Sequence, residues 1–272
     1  MGRVIERLPK GNPVFGVTLL DNRLYLLRGY KSSKQIEEYD IDSYRLLRCL
    51  TVPQLRNSED IVACKHNRCA YVSDYAPKCV HRVALPDATV TQWPVDDQPA
   101  GLALTARHGV LVTCFLVRRI KEFSTHGVLM HVLTLPEEVV SPLQTIQLPS
   151  GHFLVCQGER CDEIHRVCLL GPDGHVVRAF GGAKGSGSQQ LNVPGRLAVD
   201  KNGFVFVADV DNCRVSLLSP SLAYVRQVMS REQLQELPFR LHLDSDNRRM
   251  YVAVNSFDGQ KYTAGRVSVV IV

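Results

Sequence analysis

The chain has 272 residues, 45% of them hydrophobic, and a formal charge of +5 from 32 Lys and Arg against 27 Asp and Glu. That size and composition allow a substantial buried core, and so mild a basic bias is far from the concentrated basic stripe of a dedicated nucleic-acid binder, a role that it permits but does not argue for. No run approaches the roughly 18 to 20 apolar residues of a membrane-spanning helix, and residues 1–10 lack an apolar stretch of signal-peptide length.

A cytoplasmic protein with no membrane partner is therefore expected. Nine cysteines, an odd number without a secretory signal, point to reduced thiols and not to a disulfide framework. Cys114, Cys156 and Cys168 fall inside apolar strand patterns and read as small buried residues. Cys64/Cys69 and Cys156/Cys161 have C-x4-C spacing with no CxxC pair, so no metal or other cofactor is expected.

Residues 4–8 are of strand length and precede the first turn signals. Strand patterns then follow in triplets or quartets, at 15–20, 24–27, 35–41 and 44–52, and at 60–64, 70–74, 80–85 and 89–93. A basic loop, Arg28 to Lys34, separates two strands of the first group. The run from Gly181 to Ser188 lacks the Gly-Lys-Ser/Thr spacing of a phosphate loop and reads as a flexible connection. One short helix is expected at Ser230-Arg231-Glu232-Gln233, a capping-box arrangement stopped by Pro238 and packed between the fifth and sixth groups. The last group offers 239–244, 250–255 and 266–272, one strand short of four.

A basic residue followed by a β-branched one recurs at Arg119-Ile120, Arg166-Val167, Arg214-Val215 and Arg266-Val267, with Arg82-Val83 or Cys79-Val80 in the second group and Gln35-Ile36 as a degenerate first copy. Taking Ile36, Val80, Ile120, Val167, Val215 and Val267 as markers, the intervals are 44, 40, 47, 48 and 52 residues. That period in an all-β pattern predicts one domain: a six-bladed β-propeller of four-stranded antiparallel blades. The blades are placed at about 13–55, 56–98, 99–140, 141–190, 191–236 and 237–272. Residues 3–8 are expected to supply the missing strand of the last blade, which leaves no bare sheet edge there.

The clearest copy contains Pro194-Gly195-Arg196-Leu197-Ala198-Val199-Asp200, Val207-Ala208-Asp209 and Asn212-Cys213-Arg214-Val215. It resembles an NHL repeat, and looser echoes at Tyr71-Val72-Ser73-Asp74 and Tyr251-Val252-Ala253 extend the resemblance along the chain. NHL domains are six-bladed propellers, often the C-terminal module of tripartite-motif proteins whose RING and B-box carry ubiquitin-ligase chemistry. The cysteines here lack RING spacing, so ligase activity would need a module outside this chain.

The resemblance also implies a ligand face formed by the loops entering each innermost strand and the loops between second and third strands. Projected onto this sequence, that face carries Arg28, Tyr30, Lys31, Lys34, Lys78, Arg118, Arg196, Arg240, Lys261 and Tyr262. Cations interleaved with tyrosines suit phosphate contact and base stacking, giving a basic patch on blades six, one and two. The same face would also carry Glu59, Asp60, Glu159, Asp162, Glu163, Asp209 and Asp211, which blunt the field.

A catalytic reading finds little to stand on. His66, His108 and His152 fall in turns joining first and second strands and read as surface residues, while His81 and His165 read as half-buried. Only His242 lies in an innermost strand, and no Gly-x-Ser-x-Gly elbow is present. Asp74 and Asp209 recur at the exit of a second strand, which argues for a blade-building role. The expected function is a non-catalytic scaffold that binds a protein partner, with single-stranded RNA as the alternative, a propeller enzyme third and no small-molecule substrate.

Overall fold

The computed structural model describes residues 2–30 and 33–272, without the side chains of Tyr30 and Ser33. The Tyr30 side chain and Lys31, both named above as candidates, therefore lie outside the described residues. The described residues form six four-stranded antiparallel sheets, the six blades expected from the repeat. The innermost strands are Val14–Leu20, Ser58–Cys64, Pro99–Leu104, Pro142–Gln147, Pro194–Val199 and Leu237–Asp244.

Each blade is buried on both faces, so its alternating residues serve two neighbours. In blade one Leu24 and Leu26 pack toward blade six, beside Tyr251 and Val269, while Tyr25 and Leu27 pack toward blade two, beside Ile61 and Val72. Val205 and Val207 of blade five likewise face blade four, and Phe206 and Ala208 face blade six. No blade can cover both its faces alone, and stability follows from closing the ring.

Closure is made by the N-terminal strand. Arg3–Arg7 pairs antiparallel with Tyr262–Ile271, so the last sheet has its fourth strand. The Gly2 amide donates to the Val228 carbonyl at 2.7 Å, and Leu8 is buried at 2% exposure. The expected helix is present as Arg231–Leu234, with the Ser230 amide donating to Gln233 Oε1 at 3.1 Å. It ends at Gln235 in the left-handed region, before Pro238 is reached. This turn holds the closing segment: Gln233 Nε2 donates to the Gly2 carbonyl and Arg7 Nη2 to the Gln233 carbonyl, each at 3.0 Å.

The recurring acid at the second strand's exit has the blade-building role read from its repetition. Asp209 accepts the Asn192 amide at 2.7 Å and Arg214 Nε at 2.7 Å. Asp74 accepts the Arg56 and Asn57 amides at 2.7 and 2.6 Å. Each ties the loop entering the innermost strand to the strand beside it. Two expectations are corrected here. The glycine–serine run is not a free linker, because Arg214 donates to the carbonyls of Ser186, Gly187 and Gln190, and Asn212 to that of Gly185. His81 and His165 are fully buried and not half-buried, since both join these loop ties: His81 meets Asp74 at 3.2 Å and His165 Nδ1 accepts the Val193 amide at 2.6 Å.

Candidate functional site

Every innermost strand shifts register near its start, between Val14 and Gly16, Ser58 and Asp60, Pro99 and Leu102, Pro142 and Gln144, Pro194 and Arg196, and Pro238 and Arg240. Such bulges re-aim side chains, and here they build two tiers around the channel. The outer tier contains Phe15, Glu59, Ala100, Leu143, Gly195 and Phe239, and the inner tier Gly16, Asp60, Gly101, Gln144, Arg196 and Arg240. Two inner positions cannot carry a side chain. A Cβ on Gly16 would lie 2.4 Å from Ile61 Cγ2, and one on Gly101 would lie 2.5 Å from the Leu143 carbonyl oxygen.

The inner tier thus holds two arginines and a single acid. Arg196 Nη1 donates to the carbonyls of Gly195 at 2.7 Å and Leu143 at 3.4 Å. Arg240 crosses from blade six to donate through Nη2 to the Glu59 carbonyl of blade two, and through Nη1 to the Phe239 carbonyl at 2.9 Å. Asp60 lies 3.5 Å from Arg196 Nε and 3.6 Å from Arg240 Nε. Its oxygens already accept the Ile61 and Leu102 amides, each at 3.0 Å, and both Nε atoms are buried without a hydrogen bond. Burial and the neighbouring Arg196 charge pull the Arg240 guanidinium down to about 9.

Above this pair opens a pit of about 410 Å³, lined among others by Glu59, Tyr75, Phe115, Arg160, Phe239 and Tyr262. The Arg240 guanidinium lies over the Phe239 ring at 4.1 Å, and the Phe239 and Tyr262 rings are 4.6 Å apart. Arg160 pairs with Asp211 at 2.9 Å and sits 4.5 Å over the Phe257 ring. Burial pushes the Glu59 carboxyl above its ordinary range despite nearby Arg240, Arg196 and Lys34. Below the pair a channel cavity of about 240 Å³ is lined by Thr18, Gln144 and His242 among others. Both cavities share Arg196 and Arg240, so the arginines form the floor between them.

In the larger depression on the opposite face, about 850 Å³, three of the four lining cations meet an acid. Arg23 meets Asp40 at 2.6 Å, Arg48 meets Glu38 at 2.6 Å, and Lys65 meets Asp21 at 3.5 Å. The turn histidines His66 and His108 lie exposed, their rings stacked 4.6 Å apart.

The candidate cations do not form one exposed patch. Arg28, 2% exposed, occupies in blade one the place that Asp74 and Asp209 hold in theirs, and it is corrected from ligand contact to an internal clasp. It donates to Glu37 at 2.6 Å and to the carbonyls of Pro9, Asn12 and Gly265 at 3.1, 2.7 and 2.9 Å. Lys34 is buried, donates to the Ser58 carbonyl at 3.2 Å and sits 3.4 Å over the Phe15 ring, with burial bringing its amine down to about 8. Lys78 and Arg118 occupy left-handed turn positions, φ 53° and 50°, whose carbonyls accept the Val95 and Leu135 amides. Lys261 is exposed, its amide bonded to Asp258 at 2.9 Å.

Of the ten candidates, Arg196, Arg240 and Tyr262 line the pit. Arg160, Phe239 and Phe257 were missed as site residues, although the Phe15 and Phe239 positions just before the inner tier were a readable hint. Burial pushes the Cys114 and Cys156 thiols up to about 12, consistent with their packing role, while Cys161 is exposed at the pit wall. Among the described residues, no group of three or more His, Cys, Asp or Glu is placed to hold a metal, and no helix is long and apolar enough to cross a membrane.

His242 gives the channel a pH signature. Burial lowers its pKa from 6.5 to about 4, against a weaker opposing pull from Asp244. A group depressed in the fold contributes stability that is present above its unfolded pKa and lost as pH falls through the folded one. Stability is expected to decline by up to about 3 kcal/mol between pH 6.5 and 4 on this account. Urea denaturation at a series of pH values checks it: His242→Gln should flatten that segment, and an unchanged profile would rule His242 out.

Comparison with known proteins agrees with this architecture. The NHL repeat family model matches residues 191–216, the clearest copy of the repeat. No curated protein matches the chain in sequence. Virginiamycin B lyase from Staphylococcus aureus is similar in fold, with 8% identity, a TM-score of 0.65, and 97% of this chain and 98% of that one covered. The Cps50 (Swd1) β-propeller domain of Myceliophteria thermophila shares 10% identity with a TM-score of 0.64 over 100% of both chains. A chain of a nidogen/laminin complex shares 13% identity with a TM-score of 0.65 over 81% of each. At such identities the likeness concerns the fold alone. With its repeat, ring and closing strand accounted for, the chain is a six-bladed β-propeller in which one repeat, residues 191–216, matches the NHL family model.

Proposed function

We propose that the propeller is a non-catalytic interaction scaffold that receives an extended segment of a protein partner across the pit. The observation that carries this reading is the pit itself: a concave site of about 410 Å³ combining Phe115, Phe239 and Tyr262 with inward-facing arginines. Apolar walls with few convergent polar groups suit a peptide side chain seated in a rigid cup. Its position supports the same reading, since the lining comes from loops entering the innermost strands and loops joining second to third strands. Such a scaffold is suited to substrate recognition in a ubiquitin-ligase type protein, the chemistry being supplied by another module.

The geometry lends less weight to RNA. Arg28, Lys34, Arg196 and Arg240, on which a basic track would rest, are each at most 5% exposed and hydrogen-bonded to neighbouring carbonyls. A nucleic-acid backbone needs several cations along the surface, and of these four only Arg196 and Arg240 open into the pit.

A random-peptide selection on the folded propeller tests the reading. Enriched peptides should lose about tenfold or more in affinity on Tyr262→Ala, the order of effect of truncating a hot-spot residue. Failure to enrich any peptide, or binding indifferent to that substitution, would sink it.

A further inference from the structure

The pit floor is short of one negative charge. Two guanidinium groups, 6% and 4% exposed at the side chain, face one carboxylate that is occupied by two backbone amides. Glu59, 3.9 Å from Arg240 Nη2, adds a second carboxylate, but the buried Lys34 amine that acts on Glu59 adds a third cation, so the excess of one positive charge remains. Arg160 does not add to the excess, being matched to Asp211. Buried charges are ordinarily paired and hydrogen-bonded, so an uncompensated cation on a cavity floor marks a place for an anion.

The donors are suitably oriented. Stacking the Arg240 guanidinium on Phe239 covers its face, and Nη1 and Nη2, each with one of its two N–H donors on a carbonyl, keep their second donors at the edge for a planar acceptor. Arg196 makes its hydrogen bonds through Nη1 alone, which leaves the Nη2 donors for a ligand. The charge excess is one unit, which suits a monoanion better than a phosphate dianion, and the aromatic wall suits the methylene stem that carries it.

We propose that the pit binds a carboxylate of the partner peptide, held between Arg196 and Arg240, with the aromatic wall packing against the flanking chain. This rests on the scaffold reading and names the chemistry that the site selects. Glu59 competes electrostatically with the incoming carboxylate, so Glu59→Gln should tighten binding. Its backbone carbonyl, which holds Arg240, is kept in that variant.

The test uses fluorescein-labelled octapeptides, random except for a fixed central residue: Glu, Gln or phosphoserine, all with amidated C-termini. A fourth panel has a free C-terminal carboxylate and central Gln. Retention of the Glu or free-carboxylate panel over the amidated Gln panel by about tenfold is expected, as for a desolvated charge pair, and the retained panel identifies the source of the carboxylate. The preference should collapse in Arg196→Gln, grow in Glu59→Gln, and persist in Lys201→Glu on the opposite face. The Glu59→Gln arm keeps the test decisive should Arg196→Gln fold poorly. Binding without carboxylate preference, or phosphoserine retained above Glu, overturns this inference and leaves the scaffold reading standing. Binding by none of the panels overturns both.

Discussion

Deletion of residues 1–9 is expected to lower the melting temperature by on the order of 10 °C in scanning calorimetry. The strand Arg3–Arg7 supplies the outermost ladder of the last blade, and Leu8 fills the seam between blades six and one. Burying one leucine contributes about 1.5–3 kcal/mol, and the ladder bonds add about 0.5–1.5 kcal/mol each. The backbone entropy regained by the released segment, about 1–2 kcal/mol per residue, offsets part of this. A net loss of a few kcal/mol remains, and it falls where the first and last blades meet. The uncovered Tyr262–Ile271 strand also becomes an open edge, so the shortened protein should aggregate on heating. An unchanged melting temperature would show that the ring closes without this strand.

The second large effect concerns Arg28. Arg28→Leu should cost about 3–5 kcal/mol, the range for removing one partner of a buried ion pair. The guanidinium joins four acceptors that belong to the closing segment, blade one and blade six, at Pro9, Asn12, Glu37 and Gly265. Leucine fills comparable space but strands Glu37, which then keeps only Tyr39 Oη at 2.8 Å and Gln35 Nε2 at 3.0 Å. Arg28→Lys should recover little, because an ammonium concentrates its donors on one atom and cannot span a fork of acceptors. The midpoint of urea denaturation should fall at constant slope, the mark of a pure stability change. Combined with the 1–9 deletion the losses should be less than additive, since both remove the bond to Pro9.

Arg28 also shows how far departures from a repeat can mislead. In blades two and five the corresponding acid accepts backbone amides and meets a partner on the third strand, His81 or Arg214. In blade one the polarity is reversed: a cation donates to carbonyls and meets the acid Glu37. The letters differ while the task, tying the inward loop to the blade, is unchanged. A basic residue in a degenerate copy therefore resembles a functional cation until its partners are known. Arg196 and Arg240 are the contrasting case. Their shared Pro-x-Arg setting was legible, and the structure places both in the same tier.

Blade number, strand alternation, the capped turn at Ser230 and the closing role of the first strand were all written in the sequence. They depend on period-2 burial, turn chemistry and repeat spacing, which are local signals or sums of them. The direction in which each cation points was decided by tertiary structure alone. A register shift aims Arg240 across the channel to Glu59, 181 positions away in the chain. Glycine at positions 16 and 101 and a lone carboxylate at Asp60 then leave that arginine and Arg196 with less negative charge than they need. No local pattern encodes such a balance, because it is struck between strands that meet only once the ring is closed.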